Sequence, residues 1–316
     1  MRTLWMSTAF AGFLAIATCG RVAVAQDLEP RAYAASPIGA NFVVAGGGHS
    51  SGDVLFDPTI PVTNAHATVN FPLIGGGTTF NLLGRTALAV AAFSYARANA
   101  TGNIGEQAAS ISRSGLADAR FKLSVNFVGG RAMTVSQFKR TDHPNIVGAS
   151  VTVIAPLGQY DPAKLINIGS NRWSFKPEVG VSHRIRKWTI EEYAGVWLFT
   201  TNNQFYPGDS MRSQNAVFTF QAHASYTFKP RLWVAFDWTW YTGGTSKVNG
   251  IEIGTLHRNT RGGATLSLPL HSKQALKFAF SKGVTTRIGA DFTTISAAWQ
   301  LSWYSRQGQL AKTPGP

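Results

Sequence analysis

Residues 172–184 read RWSFKPEVGVSHR, and polar and apolar side chains alternate through them one by one. Trp173 and Phe175 lie in one set of alternate positions, and Lys176 and Glu178 lie in the other. A period of two is that of a β-strand, whose successive side chains point to opposite faces of a sheet. Two folds use such a strand. A soluble sandwich has a core on one face and water on the other, whereas a membrane barrel has lipid outside and a wet lumen inside.

The composition of the whole chain favours an all-β protein. Charged residues make up 14% of the 316 residues, against roughly 25% in an ordinary soluble domain. The chain also holds 32 Gly, 20 Phe and 9 Trp, and its mean hydropathy of −0.02 argues against a bundle of membrane helices. Few charges and many aromatic residues at neutral hydropathy are typical of strands with one apolar and one polar face.

The N-terminus has the features of a secretory signal peptide. A positive start at Arg2 precedes an apolar stretch over residues 4–16, and the sequence AVA at 23–25 is a small-x-small cleavage site. We therefore predict a signal peptide over residues 1–25. A lipoprotein signal that uses Cys19 is the alternative, but the threonine before this cysteine fits poorly. Cleavage at the predicted site removes the chain's single cysteine, so we expect an exported protein without disulfides.

The formal net charge is +14 at pH 7. A basic balance often indicates nucleic-acid binding, but the export signal argues against that partner here. We interpret the positive charge as a property of the lumen and loops, or as attraction to anionic headgroups or anionic solutes. The expected partners are outer-membrane lipid and a small organic solute. Either a monomer or an oligomer is compatible with lipid-exposed strands.

Twelve segments alternate in the manner of the opening stretch. They predict an all-β fold, a transmembrane antiparallel up-and-down β-barrel of about 12 strands over residues 41–304. A periplasmic leader over 26–40 precedes the predicted barrel, and a polar tail over 305–316 follows it. Residues 85–96 are rich in Ala and are assigned to a strand from their context. The predicted strands are 41–48, 63–72, 85–96, 116–127, 147–156, 172–184, 188–200, 215–228, 231–242, 259–270, 274–284 and 291–304.

The lengths of the connections favour the membrane barrel over the sandwich. Outer-membrane barrels combine short periplasmic turns with longer extracellular loops. The segment 129–146 is an exception among the inner connections, and a short helical turn is predicted over 133–139. The predicted tight turns are 185–187, 229–230 and 271–273, and the predicted outer loops are 49–62, 97–115, 157–171, 201–214, 243–258 and 285–290.

Aromatic residues near strand ends favour the same fold. In a membrane barrel they form girdles at the two headgroup layers, whereas a sandwich would have to bury them in one core. Closure of the sheet also removes the edges that lipid would not tolerate. The girdle candidates are Trp173, Trp188, Trp240, Trp303 and Tyr304.

Several short motifs resemble those of a known family. They are SGLAD (114–118), VGAS (147–150), PLGQYD (156–161), LINIG (165–169), NRWSF (171–175), GVS (180–182), QAH (221–223), GG (243–244) and GADF (289–292). Over about residues 36–304 the chain resembles the outer-membrane transporter-like family named for the meta-cleavage (MetA) pathway of phenol degradation. The resemblance implies an outer-membrane β-barrel and the uptake of aromatic compounds, and it carries over no catalytic residues.

The sequence lacks GxSxG, Walker, HExxH and CxxC patterns. His223 and Ser225 imitate the Ser–His pair of a barrel hydrolase, but they lie two apart on one strand. His66 and His223 have no carboxylate or cysteine at ligand spacing. We therefore expect a protein that is not an enzyme, with no catalytic residue, cofactor or metal.

The polar residues of the predicted strands are the candidate lumen lining. One hypothesis is a lattice of salt bridges and hydrogen bonds that fills a narrow lumen, and the other is a charge-lined path for a solute. The two hypotheses overlap. The candidates are Asp118, Arg120, Lys122, Lys176, Glu178, Glu191, Gln221, His223, Asp237, Arg261 and Lys277.

The outer loop at Gln159, Tyr160 and Asp161 is a candidate plug or gate, with a plain turn as the alternative. The predicted function is passive uptake of small organic solutes, aromatic compounds among the candidates. The alternative is a barrel with a closed lumen that acts as a structural or surface-interaction protein. We expect the barrel in the bacterial outer membrane with both termini in the periplasm.

Overall fold

The computed structural model describes residues 28–55, 62–104, 106–253 and 255–305. The predicted signal peptide and almost all of the predicted tail lie outside the described residues. The strands are β1 (Ala40–Leu55), β2 (Val62–Leu82), β3 (Arg85–Ile104), β4 (Gln107–Leu116), β5 (Ala119–Val128), β6 (Asn145–Ala155), β7 (Ser174–Ile185), β8 (Trp188–Phe199), β9 (Asn202–Phe205), β10 (Ser210–Gln214), β11 (Val217–Lys229), β12 (Leu232–Gly243), β13 (Ser246–Val248), β14 (Ile251–Ile253), β15 (His257–His271), β16 (Gln274–Thr285) and β17 (Gly289–Tyr304).

Thirteen of these strands form one closed antiparallel sheet. β1 pairs with β2 on one side and with β17 on the other, which closes the wall. β4 and β5 follow one another along β3 and occupy one position in the wall. The predicted antiparallel barrel of twelve strand positions is therefore confirmed, and the Ala-rich stretch 85–96 lies within β3.

Alternation along each strand separates the two faces of the wall. On β11, Thr219 and Gln221 are buried, whereas Phe218 and Phe220 are 56% and 39% exposed. Apolar side chains on the outer surface suit lipid, and polar side chains inside suit water. Trp173, Trp188, Trp240 and Trp303 are all exposed near strand ends. Tyr304 lies on the opposite face from its neighbour Trp303, as alternation requires, and is not part of the outer girdle.

The tight turns and both ends of the barrel chain lie at one end of the wall, since Ala40 pairs with Tyr304. The long connection between β5 and β6 contains a short helix, α1 (Val135–Phe138), where a helical turn was predicted. Thr134 caps this helix and forms a capping box with Gln137. No helix in the described part of the chain is long and apolar enough to cross a membrane.

The first two predicted outer loops are wrong over most of their length, because the strands continue through them. β2 has 21 residues and β3 has 20, about twice the 9–11 needed to cross a membrane. In the extension of β2, Ala67 and Val69 are buried inside while His66 and Asn70 are exposed. Polar residues can face outward there because this part of the wall extends beyond the hydrocarbon layer.

The interior beside β1, β2 and β3 holds an apolar cluster. Val44, Val69, Phe71 and Leu73 are among its buried members, and Ile168 joins them from the outer loop between β6 and β7. This loop and a small second sheet, in the order β14-β13-β10-β9, lie at the end of the barrel opposite the tight turns. One side of the interior is therefore packed with apolar side chains.

Candidate functional site: the barrel lumen

Ten of the eleven predicted lumen residues are buried on the inward face of the wall. They lie on β5, β7, β8, β11, β12, β15 and β16, so the charged interior extends over more than half of the wall. The ten residues are Arg120, Lys122, Lys176, Glu178, Glu191, Gln221, His223, Asp237, Arg261 and Lys277.

Asp118 has a different role from the one predicted. Its carboxylate accepts the backbone N–H of Gly158 at 2.9 Å, and it accepts both the N–H and the hydroxyl of Ser170, at 2.9 and 2.5 Å. These donors belong to the outer loop between β6 and β7. Asp118 therefore fastens that loop to the wall at the break between β4 and β5.

Charges from the wall meet a charge from the N-terminal segment. Glu29 accepts hydrogen bonds from Arg120 at 3.1 Å and from Lys122 at 2.5 Å, and Lys176 pairs with Glu178 at 2.8 Å. Burial by itself would raise the pKa of Glu29, but the cations led by Lys122 lower it far below its ordinary value. Glu29 is therefore an anion at neutral pH.

Two further residues of this segment bind the opposite part of the wall. The backbone N–H of Arg31 donates to Glu191 at 2.6 Å, and its guanidinium donates to Ser225 at 3.0 Å. The hydroxyl of Tyr33 donates to Glu178 at 3.1 Å and also contacts Ser150 at 2.9 Å. Residues 28–36, the lumen segment, thus contact the wall on several sides.

The position of the lumen segment corrects the predicted leader. Its polar composition suggested a segment outside the barrel, but Leu28, Glu29 and Tyr33 are buried within it. The physical reason is that the wall supplies partners for the polar groups of the segment, since Glu29 pairs with Arg120 and Lys122 and the Arg31 guanidinium donates to Ser225. The sequence carried no periodic signal for this arrangement, since residues 30–33 form a turn in which Arg31 has a positive φ of 65°.

Glycines in the wall make room for Tyr33. A Cβ atom placed on Gly180 would lie 2.2 Å from Tyr33 Cε2, and one on Gly148 would lie 2.6 Å from Tyr33 Cδ1. Tyr33 also meets the ring of Tyr193 edge-on, with the centroids 5.0 Å apart. The wall is thus shaped for this one side chain.

His223 and Ser225 have separate partners. His223 Nδ1 lies 2.7 Å from Asp237 Oδ1, and the Thr265 hydroxyl donates to the other carboxylate oxygen at 3.2 Å. The Ser225 hydroxyl instead accepts from Arg31. His223 therefore belongs to a hydrogen-bond network within the wall, and Ser225 helps to bind the lumen segment.

Several inward polar atoms have no hydrogen-bond partner within the described part of the chain. In a polar interior such atoms are satisfied by water. Buried water is the partner that such atoms usually have in protein interiors. They are Thr152 Oγ1, Glu191 Oε1, Thr219 Oγ1, Gln221 Oε1, His223 Nε2, Thr239 Oγ1, Lys277 Nζ and Ser296 Oγ.

The predicted gate residues form part of an ordered outer cover. The Tyr160 hydroxyl donates to the Gln204 carbonyl and accepts from Asn202, both at 2.9 Å. Gln159 donates its N–H to the Leu116 carbonyl at 2.8 Å. Asp161 pairs with Lys164 at 2.7 Å on the exposed surface. Tyr160 therefore ties the outer loop to β9 of the small sheet.

These features define a transmembrane β-barrel with a charged lumen and an N-terminal segment lodged in it. The profile of the family described as "Putative MetA-pathway of phenol degradation" matches residues 37–303. The chain belongs to this family, and the resemblance seen in its motifs is confirmed. A search of curated proteins found no match.

Solved structures share the fold. An outer membrane channel from Pseudomonas putida F1 matches with a TM-score of 0.72 at 18% identity, over 88% of this chain and 100% of that one. The beta domain of the Bordetella autotransporter Brka matches with a TM-score of 0.48 at 11% identity, over 84% of this chain and 100% of that one. The KdgM porin in complex with oligogalacturonate matches with a TM-score of 0.47 at 7% identity, over 83% and 99%. The first likeness shows that this chain has an outer-membrane channel fold.

Proposed function

We propose that this protein is a passive outer-membrane channel for small organic solutes. The observation that carries the proposal is the set of inward polar atoms without a protein partner, which indicates water inside the barrel. A closed wall around a hydrated interior offers a polar path through the membrane.

The proposal places the tight turns and both termini in the periplasm and the small sheet outside the cell. It is supported by the asymmetry of the connections, since outer-membrane barrels keep short turns on the periplasmic side. In this orientation the outer loop with Gln159, Tyr160 and Asp161 gates entry. The lumen segment then closes the path from the periplasmic side.

Aromatic compounds are candidate solutes because the interior offers both kinds of surface. Val69, Phe71 and Leu73 supply an apolar side, and the charged wall supplies hydrogen bonds. A small ring with one polar group can contact both at once. The family description, with its reference to phenol degradation, is compatible with this class of solute.

Two measurements test the channel. The purified full chain is inserted into planar bilayers to record current, and uptake of a small aromatic solute is compared between a deletion strain and the same strain with the gene restored. We expect discrete current steps and an uptake defect that the gene repairs. Absence of both would contradict the proposal.

The lumen segment favours a second candidate, the closed barrel with a structural or surface-interaction role. Its ion pairs and fitted Tyr33 close part of the lumen in this conformation. This candidate predicts no current and no uptake defect even when the segment is released by substitution. It also predicts binding of a partner through the outer loops.

A further inference from the structure

Lys277 lies in the lumen wall without an acidic partner among the described residues. It is 3% exposed, whereas the next residue, Phe278, faces outward at 42%. Its Nζ has no hydrogen-bond partner in the part of the chain that the structure describes. A buried ammonium group without a counter-ion is costly, so this position is suited to an anion.

A second cation lies at the same level of the wall. The register aligns Trp233, Ser267 and Lys277 in one row across β12, β15 and β16. The guanidinium of Arg31 lies 4.5 Å from the centroid of the Trp233 ring. Because neighbouring strands are about 4.8 Å apart, two strand spacings separate the backbones of Trp233 and Lys277. One small anion can therefore approach both cations.

The surroundings of these two cations carry little negative charge. Lys277 forms no salt bridge within the described part of the chain, and Arg31 and Arg231 add positive charge near it. The Arg31 side chain donates to the neutral hydroxyls of Ser225 and Thr227. The Glu191 carboxylate accepts a hydrogen bond from the backbone N–H of Arg31. It does not bond to the guanidinium, so it offsets only part of this positive charge.

The wall next to Lys277 is apolar on its other side. Ala298 lies opposite Lys277 on β17 and is buried, as is Ala275 on β16. Further along, the buried Phe71 ring occupies the space over Gly48. The row thus joins cations to an apolar surface, which suits a ligand with an anionic head and an apolar body.

We propose that Lys277 and Arg31 bind the carboxylate of a small organic acid with an apolar body inside the lumen. The site rests on the proposed channel function for delivery of its ligand and names a solute class for it. Basic residues at the tight turns would draw such anions toward this end of the barrel. They include the exposed Arg184, Arg186, Lys187, Lys229 and Lys273.

The test uses the full chain in detergent and isothermal titration calorimetry with benzoate as the probe. Benzyl alcohol, which has the same ring without the charge, is the neutral control ligand. We expect benzoate to bind and Lys277→Gln to weaken its affinity at least about tenfold, because a charge-assisted bond is lost. Lys282→Gln, at an exposed position of the same strand, should bind as the unchanged protein does.

Lys277→Arg keeps the charge and should retain binding, which separates loss of the site from loss of the fold. If Lys277→Gln does not fold, benzoate but not benzyl alcohol must raise the unfolding temperature of the unchanged protein. Equal affinity in Lys277→Gln and Lys282→Gln, or no benzoate binding to the unchanged protein, would overturn the site. Current without benzoate binding would refute the site alone, and benzoate binding without current would refute the channel alone.

Discussion

One wall, formed by β1, β2 and β3, and another, formed by β5, β6, β7, β8, β11 and β12, enclose the same barrel with different chemistry. On the first side Val69 and Phe71 are packed into an apolar cluster. On the second side Lys122, Glu178 and His223 are buried among polar partners. The apolar side gains stability by excluding water, whereas the charged side needs partners and water to be stable. The lumen segment forms its ion pairs on the charged side, so we expect substitutions there to change the current most.

Removing a charge from the second side should have the largest effect on stability. Lys122→Met leaves Glu29 with Arg120 and removes its bond of 2.5 Å. Breaking a buried pair in this way costs about 3–5 kcal/mol of unfolding free energy. Urea unfolding in detergent micelles measures the loss.

The double variant Glu29→Gln/Lys122→Met supplies the control for that loss. Because both partners are changed, its loss should be smaller than the sum of the single losses by about 0.5–3 kcal/mol. A loss below about 1 kcal/mol in Lys122→Met, the range of surface pairs, would show that the network does not hold the segment.

A change on the apolar side should destabilise the barrel without opening it. Leu73→Ala removes a buried side chain from the cluster and should lower the unfolding free energy by about 2–5 kcal/mol. Current through the bilayer should stay as in the unchanged protein, since the lumen segment keeps its ion pairs. An increase in current above that of the unchanged protein would remove the distinction between the two sides.

The fit of Tyr33 gives a smaller and more specific effect. In Gly180→Ala the added methyl would lie 2.2 Å from Tyr33 Cε2, so the ring must move at a cost of about 1–3 kcal/mol. We expect a higher current as the lumen segment loosens. Gly262→Ala is the matched control, because a Cβ atom there has 3.5 Å to its nearest neighbour. Equal currents in the two variants would argue against Tyr33 as an anchor.

The outer cover should show the smallest effect. Tyr160→Phe removes the hydrogen bonds of the Tyr160 hydroxyl to Gln204 and Asn202. Because water replaces the lost partners, we expect the unfolding free energy to fall by only about 1 kcal/mol. Urea unfolding measures this loss of stability, and recording in bilayers measures any change in current. A current increase larger than that of Gly180→Ala would make the outer loop the main barrier.

The wall was predictable from sequence because its signal is local. Alternation in stretches such as 116–127 and 215–228 defines each strand and its inward face without knowledge of the partners. The same alternation misled for β2, where the polar residues His66 and Asn70 face outward. Whether an outward face contacts lipid or water depends on its position along the barrel axis. The alternation of residues does not indicate that position.

The lumen segment was not predictable in the same way. Glu29 meets Arg120 and Lys122 across 91 and 93 residues of sequence, so its contacts exist only once the barrel has closed. A polar stretch before the first strand is also typical of an ordinary leader. Residues 30–33 form a turn rather than a strand, so no periodic pattern in the sequence indicated where these side chains would point.

Single-channel recording of the variant Glu29→Gln/Arg31→Gln tests most directly whether the lumen segment closes a hydrated channel. Arg140→Gln/Asp142→Asn changes the same kinds of charge at exposed positions of the inner link and is the control. We predict a larger or longer-lived current for the first variant and a control current equal to that of the unchanged protein. The same current in all three proteins would contradict it.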